Sequence, residues 1–213
     1  MKRREFLKSA GAATALAGIP TGWAIAQAKP LKIGLMLPYS GTYAQLGENI
    51  TSAVELLIAE KGGKLGGREL QIIKLDDESK PENGPQNADR LVKRDQVDVL
   101  IGTVHSGVQM GIHKVVKDSG TLTIIPNAGN DIITRAECVK NVFRTSFSNW
   151  QNAYGMGLAL GKRGVKRAAW ITWDYAAGSD SAAGFKQGLE ASGAQLVKEL
   201  TLPFPQTNFQ PLL

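Results

Sequence analysis

The chain is expected to fold as an α/β protein on doubly wound parallel sheets, and three observations lead there. Apolar runs of strand length alternate with segments whose apolar residues recur at helical spacing. The links between them are short, as in βαβ units, which place successive strands parallel with helices on the faces of the sheet. The loops after the third and fourth strands carry small residues and hydroxyls, and they leave the carboxyl ends of strands, where open α/β sheets hold ligands. With 43% hydrophobic and 21% charged residues, the composition is that of an ordinary globular chain.

The elements follow in order. Leu31 to Leu37 is the first strand, and Pro38 to Tyr43 turns out of it. A helix follows, with Ala44, Leu46, Ile50, Ala53, Val54, Leu57 and Ile58 on one apolar face. Gly62-Gly63 stops it and Lys64 to Gly67 makes a tight connection. Arg68 to Leu75 is the second strand, ending in Asp76-Asp77. Pro81 opens the second helix, which turns Ala88, Leu91 and Val92 inward and ends on Lys93-Arg94-Asp95. Val97 to Ile101 is too short for a helix and reads as the third strand, with the loop Gly102 to Gly107 behind it. Val108, Ile112, Val115 and Val116 mark the third helix, closed by Ser119-Gly120. Leu122 to Ile125 is the fourth strand; Pro126 stops it, and Asn127 to Asn130 form its loop.

From Ile132 the pattern loosens. Val142-Phe143-Arg144 is a short strand, and the polar stretch Thr145 to Asn149 is placed as a crossing between domains. A second α/β unit then begins. It has a helix from Trp150 to Leu160, a strand from Arg167 to Thr172, a helix from Ala182 to Ala191 and a strand from Gln195 to Leu202. Pro203 to Gln210 is loop, and Gln210 to Leu213 looks like the start of a helix. Two strands and two helices make a small sheet that leaves apolar surface uncovered.

The N-terminus reads as an export signal rather than as part of the fold. Lys2-Arg3-Arg4-Glu5-Phe6-Leu7-Lys8 precedes a moderately apolar run to about Ile25, and Ala26-Gln27-Ala28 offers a small-x-small cleavage site. The paired arginines followed by Glu-Phe-Leu-Lys resemble a twin-arginine signal, implying the twin-arginine export machinery as a partner and the periplasm as destination; the alternative is a Sec signal that happens to carry Arg-Arg. Cleavage after Ala28 leaves 213 − 28 = 185 residues, and the formal charge drops from +6 to +3 because residues 2–8 carry four basic groups and one acid. Half the basic excess therefore belongs to the signal, and with no basic stripe interleaved with aromatics nucleic acid is not expected as a partner. The single cysteine, Cys138, excludes an internal disulfide and is expected to be a buried free thiol. One cysteine and the distant pair His105 and His113 make no metal site, and no cofactor is expected. The chain has no Gly-x-Ser-x-Gly elbow, Walker loop or Gly-x-Gly-x-x-Gly after a strand, and no placed acid behind His105-Ser106, so an enzyme is not expected.

These segments, taken together and in order, resemble the leucine/isoleucine/valine-binding family of type I periplasmic solute-binding proteins. IGLMLPYSGTYAQLGENI is similar to the family's opening strand, Ser-Gly turn and helix. GGKLGGRELQIIKLDDESKPENG is similar to its Gly-rich turn, second strand and Asp-Asp ending. VDVLIGTVHSG and TIIPNAG resemble the two ligand loops, and FRTSFSN the first crossing to the second lobe. The resemblance implies a two-lobed fold, with residues 29–148 in lobe one and 149–213 in a partial lobe two behind a signal of residues 1–28. It implies a substrate-binding protein of an ABC importer, which takes a small carboxylate ligand and presents it to a permease. Such proteins run to roughly twice the mature length, so the chain is expected to be truncated in lobe two and, alone, to bind weakly or not at all.

The resemblance also implies a site. Ser106 stands where the family's serine takes the ligand carboxylate, with Gly107 beside it. Asn127, Ala128 and Gly129 fill the loop that supplies backbone groups, although Gly129 replaces a threonine, which weakens the case for an α-amino acid. Leu46 stands where an aromatic often covers the ligand side chain, with Tyr43 one turn before it. The usual lobe-two tyrosine falls at Ala177, with Tyr175 displaced by two. Tyr43, Trp150, Trp173 and Tyr175 are thus the candidate walls for an aromatic acid; a branched-chain or other hydrophobic amino acid is the other ligand class. Ser106 is also a candidate helix N-cap, and His105 is expected to be a loop hydrogen-bonder rather than a ligand contact. Rival readings with the same fold are an exported ligand sensor docking on a signalling receptor, or a non-functional fragment.

Overall fold

The computed structural model describes residues 28–212, so the expected export signal, apart from Ala28, lies outside the described residues. It contains a six-stranded sheet followed by a two-stranded one. The first is built from β1 (Leu31–Leu37), β2 (Lys64–Leu65), β3 (Arg68–Asp76), β4 (Val99–Ile101), β5 (Leu122–Ile125) and β6 (Val142–Arg144) in the order β2-β3-β1-β4-β5-β6. All its pairings are parallel except the β2–β3 hairpin. The second sheet pairs β7 (Arg167–Asp174) with β8 (Gln195–Pro203) in parallel. Among the described residues no helix is long and apolar enough to cross a membrane.

β1 explains why the first sheet is covered on both faces. Ile33, Leu35 and Leu37 point to one side, where Ile50 and Val54 of α1 (Ala44–Glu60) pack on them. Met36 points to the other side, into a cluster with Ala88 and Leu91 and with Val108, Ile112 and Val116 of α3 (Ser106–Ser119). Ala88 belongs to α2 (Gly84–Asp89), which a 3₁₀ turn at Pro81–Asn83 precedes and a π-turn at Arg90–Arg94 follows, so the single expected helix is three short pieces. A strand buried on both faces must be apolar at nearly every position, as β1 is.

Several boundaries differ from the sequence reading. The connection Lys64 to Gly67 is a hairpin, because Leu65 pairs with Arg68 across the left-handed Gly66 and Gly67. Val97 and Asp98 lie outside β4, and α3 begins at Ser106. Asp131–Thr134 forms a short helix, α4, within the stretch expected to be irregular. Helix α5 spans Asn149–Lys162. Helix α6 spans Ala176–Ala191, six residues earlier than expected; its first turns hold small residues, which carry no apolar periodicity to read. On α1 the buried stripe runs through Gly47 and Thr51, while Leu46, Ala53 and Leu57 are exposed, so the expected apolar face is displaced. Cys138 is exposed, not buried, since it lies in the irregular segment after α4 rather than on a core-facing element.

Candidate functional site

The strand order β3-β1-β4 in the sheet puts β1 between strands reached by crossovers in opposite senses, so the loops after β1 and β4 part there and open a crevice. The loop after β1 is pinned by the end of β3. Asp76 accepts hydrogen bonds from the Tyr39 amide (2.8 Å), the Ser40 amide (3.3 Å) and hydroxyl (2.6 Å) and the Glu78 amide (2.8 Å). Burial alone would raise the Asp76 pKa, but these donors hold it below the usual carboxylate range. The Ser79 hydroxyl then accepts from the Tyr43 amide at 3.2 Å, which sets Tyr43 at the mouth of the crevice.

The loop after β4 ends in His105, which caps α3. Its backbone is extended, and Nδ1 accepts from the amides of Gly107 (3.0 Å) and Val108 (3.4 Å). Two orphan donors of the helix start are thereby satisfied by an imidazole, an uncommon cap. His105, not Ser106, is therefore the N-cap, and the expectation of a loop hydrogen-bonder holds for His105. Ser106 is buried, and its Oγ accepts from Asn149 Nδ2 at 3.3 Å.

Aromatic rings from both sheets close over this helix start. His105 stacks on Tyr175 (centroids 4.7 Å) and meets Phe204 edge-on (4.8 Å), and Tyr43 tilts against both His105 (6.0 Å) and Phe204 (5.6 Å). Trp173 meets Phe204 edge-on at 5.2 Å. The Tyr43 and Tyr175 hydroxyls hydrogen-bond at 2.9 Å across the crevice. Burial raises both tyrosine pKa values, so both are neutral phenols near pH 7, and burial pushes His105 down to about 4, so it is a neutral imidazole there.

A polar network stands beside the rings. Asn149, the first residue of α5, donates from its amide to the Gly129 carbonyl (2.8 Å) and from Nδ2 to Ser106 Oγ and to Asp180 Oδ2 (both 3.3 Å). Asp180 of α6 also accepts from the Asp131 amide at 3.2 Å, so it joins the two sheets. Glycine at 129 now has a reason: a Cβ there would collide with the Asn149 carboxamide.

The structure brings together Ser106, Gly107, Tyr43, Tyr175 and Trp173 from the expected set, and keeps Asn127, Ala128 and Gly129 close by. Several of their roles differ from expectation. The Ala128 amide donates to the Thr103 carbonyl at 3.0 Å, and the Gly107 amide is committed to the His105 cap, so neither is an unpaired donor here. Leu46 is 39% exposed and outside the core packing. Trp150 lies away from the rings: it stacks on Tyr154 (4.5 Å), donates to Gln187 and takes Arg135 over its face. Its place in the first turn of α5 directs it along the helix pair. Sequence reasoning missed Phe204, Asn149 and Asp180 as members of the site. Among the described residues no three His, Cys, Asp or Glu side chains gather as a metal would require.

A crevice at a sheet switch point, closed by side chains from a second α/β unit, defines a two-lobed binding protein. The chain belongs to the periplasmic binding protein family, whose model matches residues 30–213. This is a family of solute-binding proteins, not of enzymes. A Leu/Ile/Val-binding protein homolog of Brucella abortus is 27% identical over 204 residues, which are 95% of this chain and 52% of that protein. An ABC-transporter solute-binding protein of R. palustris, solved in complex with benzoate, is 50% identical with a TM-score of 0.83 over 86% of this chain and 51% of that one. Another from Rhodopseudomonas palustris BisB5, in complex with 3,4-dihydroxy benzoic acid, is 31% identical with a TM-score of 0.80 over 86% and 50%. The chain thus spans about half the length of the relatives it matches.

Proposed function

We propose that the chain is the substrate-binding component of an ABC importer and that its ligand is a planar aromatic carboxylate of the benzoate class. The observation that carries this reading is the ring set Tyr43, His105, Trp173, Tyr175 and Phe204, drawn from both sheets over the N-terminus of α3 and the Ser106 hydroxyl. Flat rings offer faces for stacking, and a helix start with a serine hydroxyl favours a carboxylate. The benzoate and dihydroxybenzoate bound by the two R. palustris relatives support the same class. Gly129, in place of a threonine, speaks against an α-amino acid.

In this reading residues 29–148 are lobe one and 149–213 belong to lobe two. Ligand meets lobe one first, at Ser106 and the 127–129 loop, and rotation about Thr145–Asn149 brings Tyr175 and Phe204 over it. The closed form docks on the permease in the periplasm, reached through a twin-arginine signal cleaved after Ala28; the protein performs no catalysis. Isothermal titration of the native protein with benzoate, 3,4-dihydroxybenzoate and leucine tests the ligand class. The aromatic acids are expected to bind and leucine to give no heat. Leucine binding with silence from both aromatic acids overturns the reading.

A further inference from the structure

His105 carries an unused capacity. It is 2% exposed, and its Nε2 has no hydrogen-bond partner among the described residues. Both bonds at Nδ1 come from backbone amides, so Nδ1 is an acceptor and the proton of the neutral ring sits on Nε2. The orphan is therefore a donor. A buried donor left unmet costs free energy, and native structures seldom keep one without a use. With Nδ1 turned to the helix, the Nε2–H edge is left among the rings of Tyr43, Tyr175 and Phe204, at the crevice and one residue from Ser106. A neutral group that only donates, at the positive end of a 14-residue helix, calls for an anionic acceptor.

We infer that His105 contacts the ligand directly, its Nε2–H donating to a carboxylate oxygen of the aromatic acid beside the Ser106 hydroxyl. One side chain then does two jobs: Nδ1 builds the helix start, and Nε2 reads the anion that the helix start attracts. Burial keeps the imidazole neutral before ligand enters, so an arriving anion meets a directed N–H donor. This inference rests on the aromatic-carboxylate reading above and names a donor that the reading did not use.

Two substitutions separate the jobs. In His105→Asn the carboxamide oxygen takes the place of Nδ1, which keeps the cap and removes the Nε2 donor. In His105→Gln the longer side chain sets its amide nitrogen near the place of Nε2, which keeps the donor and removes the cap. Titration of the native protein with benzoate, alongside thermal unfolding, reads both. His105→Asn is expected to bind about 10- to 100-fold more weakly with near-native unfolding, the loss of one hydrogen bond to a charged acceptor. His105→Gln is expected to unfold earlier while keeping most of its affinity. In the wild-type protein, the His105 Nε2 ¹⁵N–H resonance is expected to shift on benzoate addition. Wild-type affinity in His105→Asn overturns the inference and leaves the ligand class standing. Equal loss in both variants with an unmoved resonance also overturns it, since the cap alone then explains the loss. If the wild-type protein binds no aromatic carboxylate, the ligand class falls and this inference falls with it.

Discussion

The sheet of β1–β6 is covered on both faces, whereas β7 and β8 bury side chains mainly on one. In the first sheet successive residues of β1 enter two separate clusters, one under α1 and one under α2 and α3. In the second, Ala168, Trp170 and Leu196 pack beneath Ala153, Phe185 and Leu189 of the α5–α6 pair, while Ile171 and Val197 face outward. In the described part of the second unit the two helices also meet closely. Gly157 of α5 abuts the Phe185 carbonyl, and Gly188 of α6 abuts the Tyr154 carbonyl, so a Cβ on either would strike the partner backbone. The difference teaches that burial in the first unit centres on its sheet, while in the described part of the second it centres on the close approach of two helix backbones.

The same truncation in each unit is the strongest test of that contrast. Leu100 on β4 and Leu189 on α6 are both fully buried. Leu100→Ala is expected to cost about 3–5 kcal/mol, because rigid layers on both sides hold the cavity open, and Leu189→Ala about 2–4 kcal/mol, because a one-sided core relaxes more readily. Urea unfolding measures both, and a larger cost at Leu189 would break the comparison.

Buried ionisation sharpens it next. Asp77 is fully buried at the end of β3, and desolvation, helped by the neighbouring Asp76 charge, pushes its pKa up to about 6. A raised acid pKa means that the folded chain holds this proton more tightly than the unfolded chain. The stability due to Asp77 is therefore present below about pH 4 and lost as pH rises to about 6. Asp77→Asn keeps an acceptor for the Ser79 amide and stays neutral. Its stability relative to the parent is expected to gain about 3 kcal/mol between pH 4 and 7, read by urea unfolding across that range. A flat difference would show that Asp77 titrates normally.

The smallest effect concerns the joint between the units. The Tyr43–Tyr175 hydroxyl pair spans the crevice, so a double-mutant cycle with Tyr43→Phe and Tyr175→Phe should give a coupling of about 0.5–1.5 kcal/mol. Zero coupling would mean that the two units do not bear on each other there.

Much of the fold was legible, because burial writes period into sequence. β1, β5 and β6 fall on their expected residues, and Gly120, left-handed at φ 70°, ends α3 where a glycine was read as a stop. The misses share a cause. The early start of α6 is spelled in small residues, and the Leu65–Arg68 hairpin is too short to show alternation. At the site, Ser106 was singled out by a family motif and Tyr43 and Tyr175 only as aromatics near family positions, and the structure sets all three beside the crevice. Phe204 sits in a loop with no pattern around it, and Asn149 meets Ser106 across 43 positions of chain. Leu46 is exposed and Trp150 stacks on Tyr154, since spacing locates a residue on a helix but does not tell which neighbour that face meets.

By itself, then, the sequence determined the alternation of strand and helix, the order of the two units and the loops that border the crevice. Those depend on hydrophobic period and on turn chemistry, which act within a few residues. Only the tertiary structure decided that His105 caps α3 through Nδ1, that Asn149 requires glycine at 129, and that Phe204 enters the ring set. Each depends on distances between segments far apart in the chain, and those distances exist only once the two sheets have packed.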